Sequence, residues 1–413
     1  MSPRRLLRDL DWYLVLLAGA LALMGLLFVD SATADVDTET SAAGKHALVL
    51  AAGAVVAVGV VVVHYARFMR AAWLLYGLSI VSLLLLPWFG MVINGARRWY
   101  RLPGGFALQP AEFAKLALIV VLASYLRFRH KATTWEGLFV PVLITLVPAA
   151  LILKQPDLGS SMVLWPVLLA MCFVAGTPLR AVLGLLGVGA LALGVGYLFM
   201  HDYQRTRIQV WLEHFDWQPE VVPIQPEEPA VEAAAAKEAH AAALAVYRDE
   251  REAYDRMQTL LRSSAYQPWQ ALIAIGSGGM SGFGVGNGPQ NVHGFLPYRE
   301  SDYIFAVVAE ETGFVGGLLV IGLELALAVR ILTVAARSRE RFGRLLAVGV
   351  AVYLAAQSLM HVAVCAWVVP ATGLPMPFLS QGGSSTLAAL LAVALVANVS
   401  ARREPVLAAD GFV

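Results

Sequence analysis

An aspartate stands just before a long apolar run in Phe295-Leu296-Pro297-Tyr298-Arg299-Glu300-Ser301-Asp302-Tyr303-Ile304-Phe305-Ala306. A carboxylate at such a boundary has two uses. Asp302 caps the helix that follows, or it acts as a general base in a partly desolvated cleft. Clusters of basic residues occur in two other places. Residues 94–101 gather Arg97, Arg98 and Arg101 around Trp99 and Tyr100, and residues 202–207 contribute Arg205 and Arg207. The first cluster reads as an interfacial belt with snorkelling arginines, or as a site for an anionic headgroup such as a pyrophosphate, which guanidinium forks bind well.

Other ionisable groups lie inside apolar stretches, where charge is expensive and marks function by default. Glu112 and Lys115 are three apart, on one helix face, and can neutralise each other. Asp157 opens a helix in Lys154-Gln155-Pro156-Asp157-Leu158-Gly159-Ser160, where it reads as an N-cap. Glu310 and Glu311 enter a later span, and Gln357 and His361 share a face of the next. These polar groups line a pathway for protons or substrate, or join helices by hydrogen bonds.

The elements that must position these groups are membrane helices. The chain is 59% hydrophobic and only 14% charged, with mean hydropathy +0.68, too apolar for a soluble domain. A net charge of +1 gives no sign of nucleic-acid binding. Cys172 and Cys365, the two cysteines, both fall in apolar runs and read as small buried hydrophobes. About ten runs have the length a bilayer demands, near 12–29, 46–64, 70–89, 109–127, 136–153, 158–175, 179–200, 303–334, 344–369 and 381–400. The first is read as a membrane helix rather than a cleaved signal. An N-terminus in the cytoplasm collects Arg4, Arg5, Arg8, Arg67, Arg70, Arg127, Arg129, Lys131, Arg180, Arg337, Arg339, Arg341, Arg344, Arg402 and Arg403 inside. The short outer loops then hold only Lys45, Arg97, Arg98, Arg101 and Lys154, so the positive-inside rule puts both termini in the cytoplasm.

The expected organisation is thus all-α, with seven spans in 1–200, a large extracytoplasmic loop over 201–302, and three spans and a short tail in 303–413. A loop that long is expected to be functional. Within it, 219–262 is rich in Ala and charge, opens at Pro219, Pro223, Pro226 and Pro229, and reads as one solvated helix. Leu244, Tyr247, Tyr254, Met257 and Leu261 share one side of it. Its plain reading is an insertion without chemistry. Tyr266-Gln267-Pro268-Trp269 then leads into a glycine-dense run, Gly276 to Gly284. With no strand before it, that run is not a dinucleotide loop, and its glycines are expected to let backbone pack closely.

Taken together, these segments resemble the SEDS family (shape, elongation, division and sporulation). The resemblance rests on Gly95-Ala96-Arg97-Arg98-Trp99, Gln109 to Lys115, Gln155 to Gly159, Ala274 to Gly279, Leu296-Pro297 through Asp302, and Glu310-Glu311. It ends with Thr372-Gly373-Leu374-Pro375-Met376-Pro377-Phe378-Leu379-Ser380-Gln381-Gly382-Gly383-Ser384-Ser385, the most specific stretch. Asp11-Trp12 and the Arg97-Arg98-Trp99 loop resemble the RodA branch more than the FtsW branch. The chain departs from the usual pattern at Tyr298, Ser301 and Gln381, and in the 219–262 segment.

The resemblance implies an inverting peptidoglycan glycosyltransferase of the bacterial inner membrane, acting in cell elongation with its active site on the outer face. Lipid II is the implied acceptor. Its GlcNAc 4-hydroxyl would attack the lipid-linked strand and release undecaprenyl pyrophosphate. On that reading Asp302 is the base. Arg97, Arg98, Arg205, Arg207, Gln267, Ser380 and Ser384 contact pyrophosphate or sugar, and Glu112, Lys115, Asp157 and Glu310 support the cavity. No organic cofactor is expected, a divalent cation such as Mg or Mn is admitted, and a class B penicillin-binding protein is the implied partner. Two other classes fit the same residues, a lipid II flippase and a non-catalytic scaffold for a transpeptidase.

Overall fold

The computed structural model describes residues 6, 8–34, 42–93, 96–128, 135–197, 200, 202–213, 242–248, 251, 259 and 265–402. In chain order the helices are α1 (Trp12–Ala32), α2 (Ala42–Val62), α3 (Tyr65–Arg70), α4 (Ala72–Phe89), α5 (Pro110–Leu126), α6 (Trp135–Lys154) and α7 (Leu158–Ala175). They continue with α8 (Leu179–Tyr197), α9 (Asp202–Glu213), α10 (Tyr266–Ser277), α11 (Pro289–Val292), α12 (Ile304–Arg337), α13 (Arg341–Cys365) and α14 (Gly383–Ser400). Among the described residues, α1, α2, α4, α6, α7, α12, α13 and α14 are long and apolar enough to cross a membrane. The two other expected spans correspond to α5, with 17 residues, and to α8, whose apolar stretch is Leu179–Gly189.

The helices sort by how much surface they give to neighbours. Helix α13 packs on α12, α7 and α5, and α14 packs on α2. On α2 and α4, by contrast, Val55, Val58, Leu74 and Trp88 stand exposed. A soluble protein does not present such a continuous apolar wall, so these flanks are the lipid-facing surface. Cys172 and Cys365 are free and buried, as expected of small core residues.

One element was not foreseen. Between α4 and α5 the chain forms a small antiparallel sheet, β1 (Met91–Ile93), β2 (Ala96–Arg101) and β3 (Ala107–Leu108), in the order β1-β2-β3. Met91 pairs with Trp99, and Tyr100 with Leu108. The run Arg97-Arg98-Trp99-Tyr100 reads as a charged aromatic cluster, yet its alternation also suits a strand that places Arg98 and Tyr100 on one face. Of the expected helix over 219–262, a helical stretch covers 242–248, with Leu244 and Tyr247 less exposed than their neighbours. Tyr254, Met257 and Leu261 lie outside the described residues.

Helix α12 is broken at Gly313 (φ 69°, ψ −168°), and the glycine-dense loop slots into the break. Phe314 N–H donates to Gly279 O (2.8 Å) and Gly284 N–H donates to Glu311 O (2.8 Å). The approach is too close for side chains: a Cβ on Gly282, itself at φ +73°, would lie 2.2 Å from Glu311 O. Close backbone packing is what Gly282 permits here. Gly282→Ala is expected to lower the melting temperature in detergent markedly. Gly276→Ala, in a helix with open space around its Cα, is expected to leave it unchanged or raise it, since Ala is the better helix former by about 1 kcal/mol.

Candidate active site

Asp302 is held by a turn rather than by a helix cap. Tyr298 has φ 55°, an uncommon conformation for a bulky residue that collects at functional sites. From there the chain turns so that Asp302 N–H donates to Tyr298 O (2.9 Å). Helix α12 starts two residues later with Tyr303 at its N-cap position and no side-chain cap. The capping alternative for Asp302 is therefore not what the fold adopts: the side chain is left for other work.

The wall opposite is the 371–382 loop. Gly373 (φ +65°) lies so close that a Cβ there would sit 3.2 Å from Asp302 Oδ2. This loop is tied on every side. Ser380 Oγ donates to Ser301 O (2.6 Å) and accepts from Met376 N–H (2.8 Å), while Gln381 N–H donates to Glu300 O (2.8 Å). From α13 below, Gln357 Nε2 donates to Pro375 O (2.9 Å) and His361 Nδ1 bonds Leu374 O (2.7 Å). Ser384 Oγ accepts from Gln109 N–H (2.8 Å) and donates to Ala107 O (3.2 Å). Both serines expected to touch substrate have their hydroxyls engaged with backbone: Ser380 ties the loop to Ser301, and Ser384 ties the start of α14 to residues 107–109.

Two of the four arginines reach Asp302 with their fields. Burial pushes the Asp302 carboxyl above the usual carboxylate range, and the Ser301 hydroxyl, Arg207 and Arg98 pull it back, while Glu300 adds to the rise. Arg207, on α9, donates from Nη1 to Ala371 O (2.7 Å). Helix α9 is anchored there by an apolar cluster of Val210, Trp211, Ala265, Trp269 and Trp367, with Trp211 Nε1 donating to Val368 O (3.1 Å). Arg98, on β2, donates to Gln155 O (2.8 Å) and Pro156 O. The other two point elsewhere. Arg205 turns back to Tyr197 O (3.2 Å) and over that ring, and the exposed Arg97 donates to Pro87 O. Gln267 is half-buried in the first turn of α10.

Beneath this surface the support residues join. Asp157 Oδ1 accepts from Ser160 N–H (3.0 Å), capping α7, and its Oδ2 accepts from Gln109 Nε2 (3.0 Å). Lys115 Nζ sits 2.6 Å from Glu112 Oε1 and donates to Gln357 Oε1 (2.7 Å). Tyr353 OH donates to Glu112 Oε2 (3.3 Å), and Lys115 Nζ lies 5.2 Å from the Tyr353 ring centroid. Gln357 thereby links the buried pair to the loop against Asp302. Glu310 accepts from the N–H groups of Gln290 (2.7 Å) and Asn291 (3.2 Å), which holds α11. Gln109 and Gly373 sit inside motifs that carry the family resemblance, but nothing local in the sequence marks Tyr353.

A half-buried carboxylate faced by guanidinium groups, at the rim of an apolar helical bundle, suits proton removal beside an anion. The model of the "cell cycle protein" family that comprises FtsW, RodA and SpoVE matches residues 9–220 and 231–404. The chain belongs to this family. It is 33% identical over 406 residues to a probable peptidoglycan glycosyltransferase FtsW of Trichlorobacter lovleyi, covering 96% of this chain and 94% of that one. It is 30% identical over 432 residues to the peptidoglycan glycosyltransferase RodA of Treponema pallidum, with 96% and 98% covered. A solved structure of a peptidoglycan synthase complex, described for its coordination of polymerization and crosslinking, superposes with TM-score 0.71 at 28% identity, covering 95% of this chain and 98% of that one. Between residues 9 and 404 the family match breaks off over 221–230, so the family pattern runs through most of the stretch expected to be an insertion.

Proposed function

We propose that this multi-pass membrane protein is a peptidoglycan glycosyltransferase that extends glycan strands with inversion, using Asp302 as general base. The observation that carries the reading is the Asp302 carboxyl lodged against Gly373 within the fields of Arg207 and Arg98. The lipid tails of donor and acceptor stay in the bilayer, which is why the catalyst is itself a membrane bundle. The acceptor GlcNAc 4-hydroxyl oxygen forms a bond to the donor's anomeric carbon as its proton passes to Asp302. The bond from that carbon to the pyrophosphate oxygen breaks, and the electron pair leaves with undecaprenyl pyrophosphate. An α-linked donor giving a β-1,4 bond is one inversion, so one displacement suffices. Pyrophosphate is already a good leaving group, so the second carboxyl of glycoside hydrolysis is not required. Arg207 and Arg98 supply positive charge where the departing anion develops.

A divalent cation at the pyrophosphate would add Lewis-acid charge. Among the described residues no group of three His, Cys, Asp or Glu assembles to hold a metal, and the charged side chains reaching Asp302 are Glu300 and the two arginines. The reading places the chain in a bacterial inner membrane, both termini cytoplasmic and Asp302 outside, with a class B penicillin-binding protein as partner. Support comes from the distribution of Lys and Arg between loops and from the likeness to a synthase complex.

Purified protein given labelled lipid II in detergent tests the proposal. Long glycan product is expected, because a polymerase needs no bilayer to cross. A flippase or scaffold gives none, and that outcome would overturn the reading. The 221–230 stretch is outside the family match, and its replacement by a short Gly/Ser linker is expected to leave the rate in this assay near wild type.

A further inference from the structure

A second polar cluster lies where the end of α1, the short helix α11 and the broken turn of α12 meet. Glu311 Oε1 accepts from Ser31 Oγ (2.5 Å) and from Asn291 Nδ2 (2.7 Å). The same amide nitrogen reaches Ser31 O (3.1 Å), which fixes the orientation of the Asn291 amide, since its oxygen in that place would face two acceptors. Three side-chain oxygens are then left over. Glu311 Oε2, Asn291 Oδ1 and Gln290 Oε1 are buried with no hydrogen-bond partner, although Glu311 and Asn291 are only 1% and 3% exposed.

All three are acceptors, and what they lack is positive charge or protons. Glu310 adds a second carboxylate whose bonds come from backbone N–H groups. The cation that reaches Glu310 is Arg299, whose Nε donates to Ala32 O (2.7 Å). Two carboxylates against one guanidinium leave the cluster short of one positive charge. A single water offers two protons for three oxygens. A proton on Glu311 Oε2 would satisfy that oxygen but supplies no second donor for the two amide oxygens. A hard cation answers all three, because carboxylate, amide and hydroxyl oxygens are its ordinary ligands.

We propose that Glu311, Glu310, Asn291, Gln290 and the Ser31 hydroxyl form a binding site for a divalent cation that fastens α1 and α11 to the break in α12. This site is separate from any metal at the pyrophosphate, and it does not depend on the glycosyltransferase reading.

The test uses the full chain, purified, stripped with a chelator and titrated with Mn²⁺, free Mn²⁺ being read by electron paramagnetic resonance. Wild type is expected to take up one ion and to melt at a higher temperature with it. Glu311→Gln and Gln290→Ala should each weaken uptake at least about tenfold, and Asp302→Asn should leave it unchanged. Gln290→Ala removes a neutral side chain and keeps the test open where Glu311→Gln fails to fold. Equal uptake by wild type and Gln290→Ala would overturn the proposal, as would loss of uptake in Asp302→Asn. No uptake by wild type, with Glu311→Gln melting higher than wild type, would assign a protonated Glu311 instead.

Discussion

Asp302→Asn protein is expected to fold and insert as wild type does, and to polymerise lipid II at least about a hundredfold more slowly, the low end of what a positioned base contributes. The substitution keeps shape and removes basicity. Capping offers no escape, since α12 begins beyond this residue without a side-chain cap. The pH dependence has a definite sign. Burial raises the Asp302 carboxyl above the ordinary carboxylate range, and a base works only when deprotonated, so activity should fall as pH drops through a value above that of a free aspartate, about 4. Removing Arg207 takes away charge that favours the ionised form, so Arg207→Met should move that acid limb to higher pH. Stability runs the other way. A folded-state value raised above the unfolded one means the native state holds the extra proton, and stability falls as pH rises through that window. Asp302→Asn escapes this loss, so its melting temperature relative to wild type should rise with pH. Glycan made by the purified variant at near wild-type rate would remove Asp302 from the mechanism.

Glu112→Gln is expected to cost about 3–5 kcal/mol of stability, the usual price of stranding one member of a buried pair. Both side chains are sealed, at 0% and 1% exposure, and loss of the carboxylate leaves the Lys115 ammonium with Gln357 and the Tyr353 ring. The melting temperature in detergent should drop, and activity with it, because Gln357 also holds Pro375 in the loop against Asp302. Replacing both residues with apolar ones, as in Glu112→Leu with Lys115→Met, should recover melting beyond either single change, since a buried pair exchanged whole for hydrophobic side chains is often nearly neutral. If Glu112→Gln abolished activity with melting untouched, Glu112 would belong to the chemistry rather than to its support.

What the sequence made legible was local. Apolar run length placed the helices, as with 158–175, which matches α7 from Leu158 to Ala175. A three-residue spacing paired Glu112 with Lys115, and Asp157 caps α7 as its position implied. What stayed hidden depended on contacts between distant segments. Four arginines were equivalent as residue types, yet only Arg98 and Arg207 act on Asp302, because β2 and α9 aim them there while Arg97 and Arg205 bond backbone elsewhere. The hydroxyls of Ser380 and Ser384 bond backbone, for which no periodicity gives warning. The sheet over 91–108 has strands of only two to six residues, too short for an alternating pattern to stand out from the charged and aromatic residues within it.

The Glu112–Lys115 pair also bears on how such a chain is made. Lys115 has three partners, and they leave the ribosome at very different times. Glu112 is already present when Lys115 enters the bilayer, whereas Gln357 lies 242 residues further on and Tyr353 is scarcely nearer. At about 5–20 residues per second, translation reaches Gln357 on the order of ten to fifty seconds later. Through that interval α5 must reside in the membrane with its neighbour in sequence as its one built-in counter-charge. Spacing the two charges one helical turn apart lets them cross as a neutral unit, and the rest of the network closes around them once α13 has been inserted.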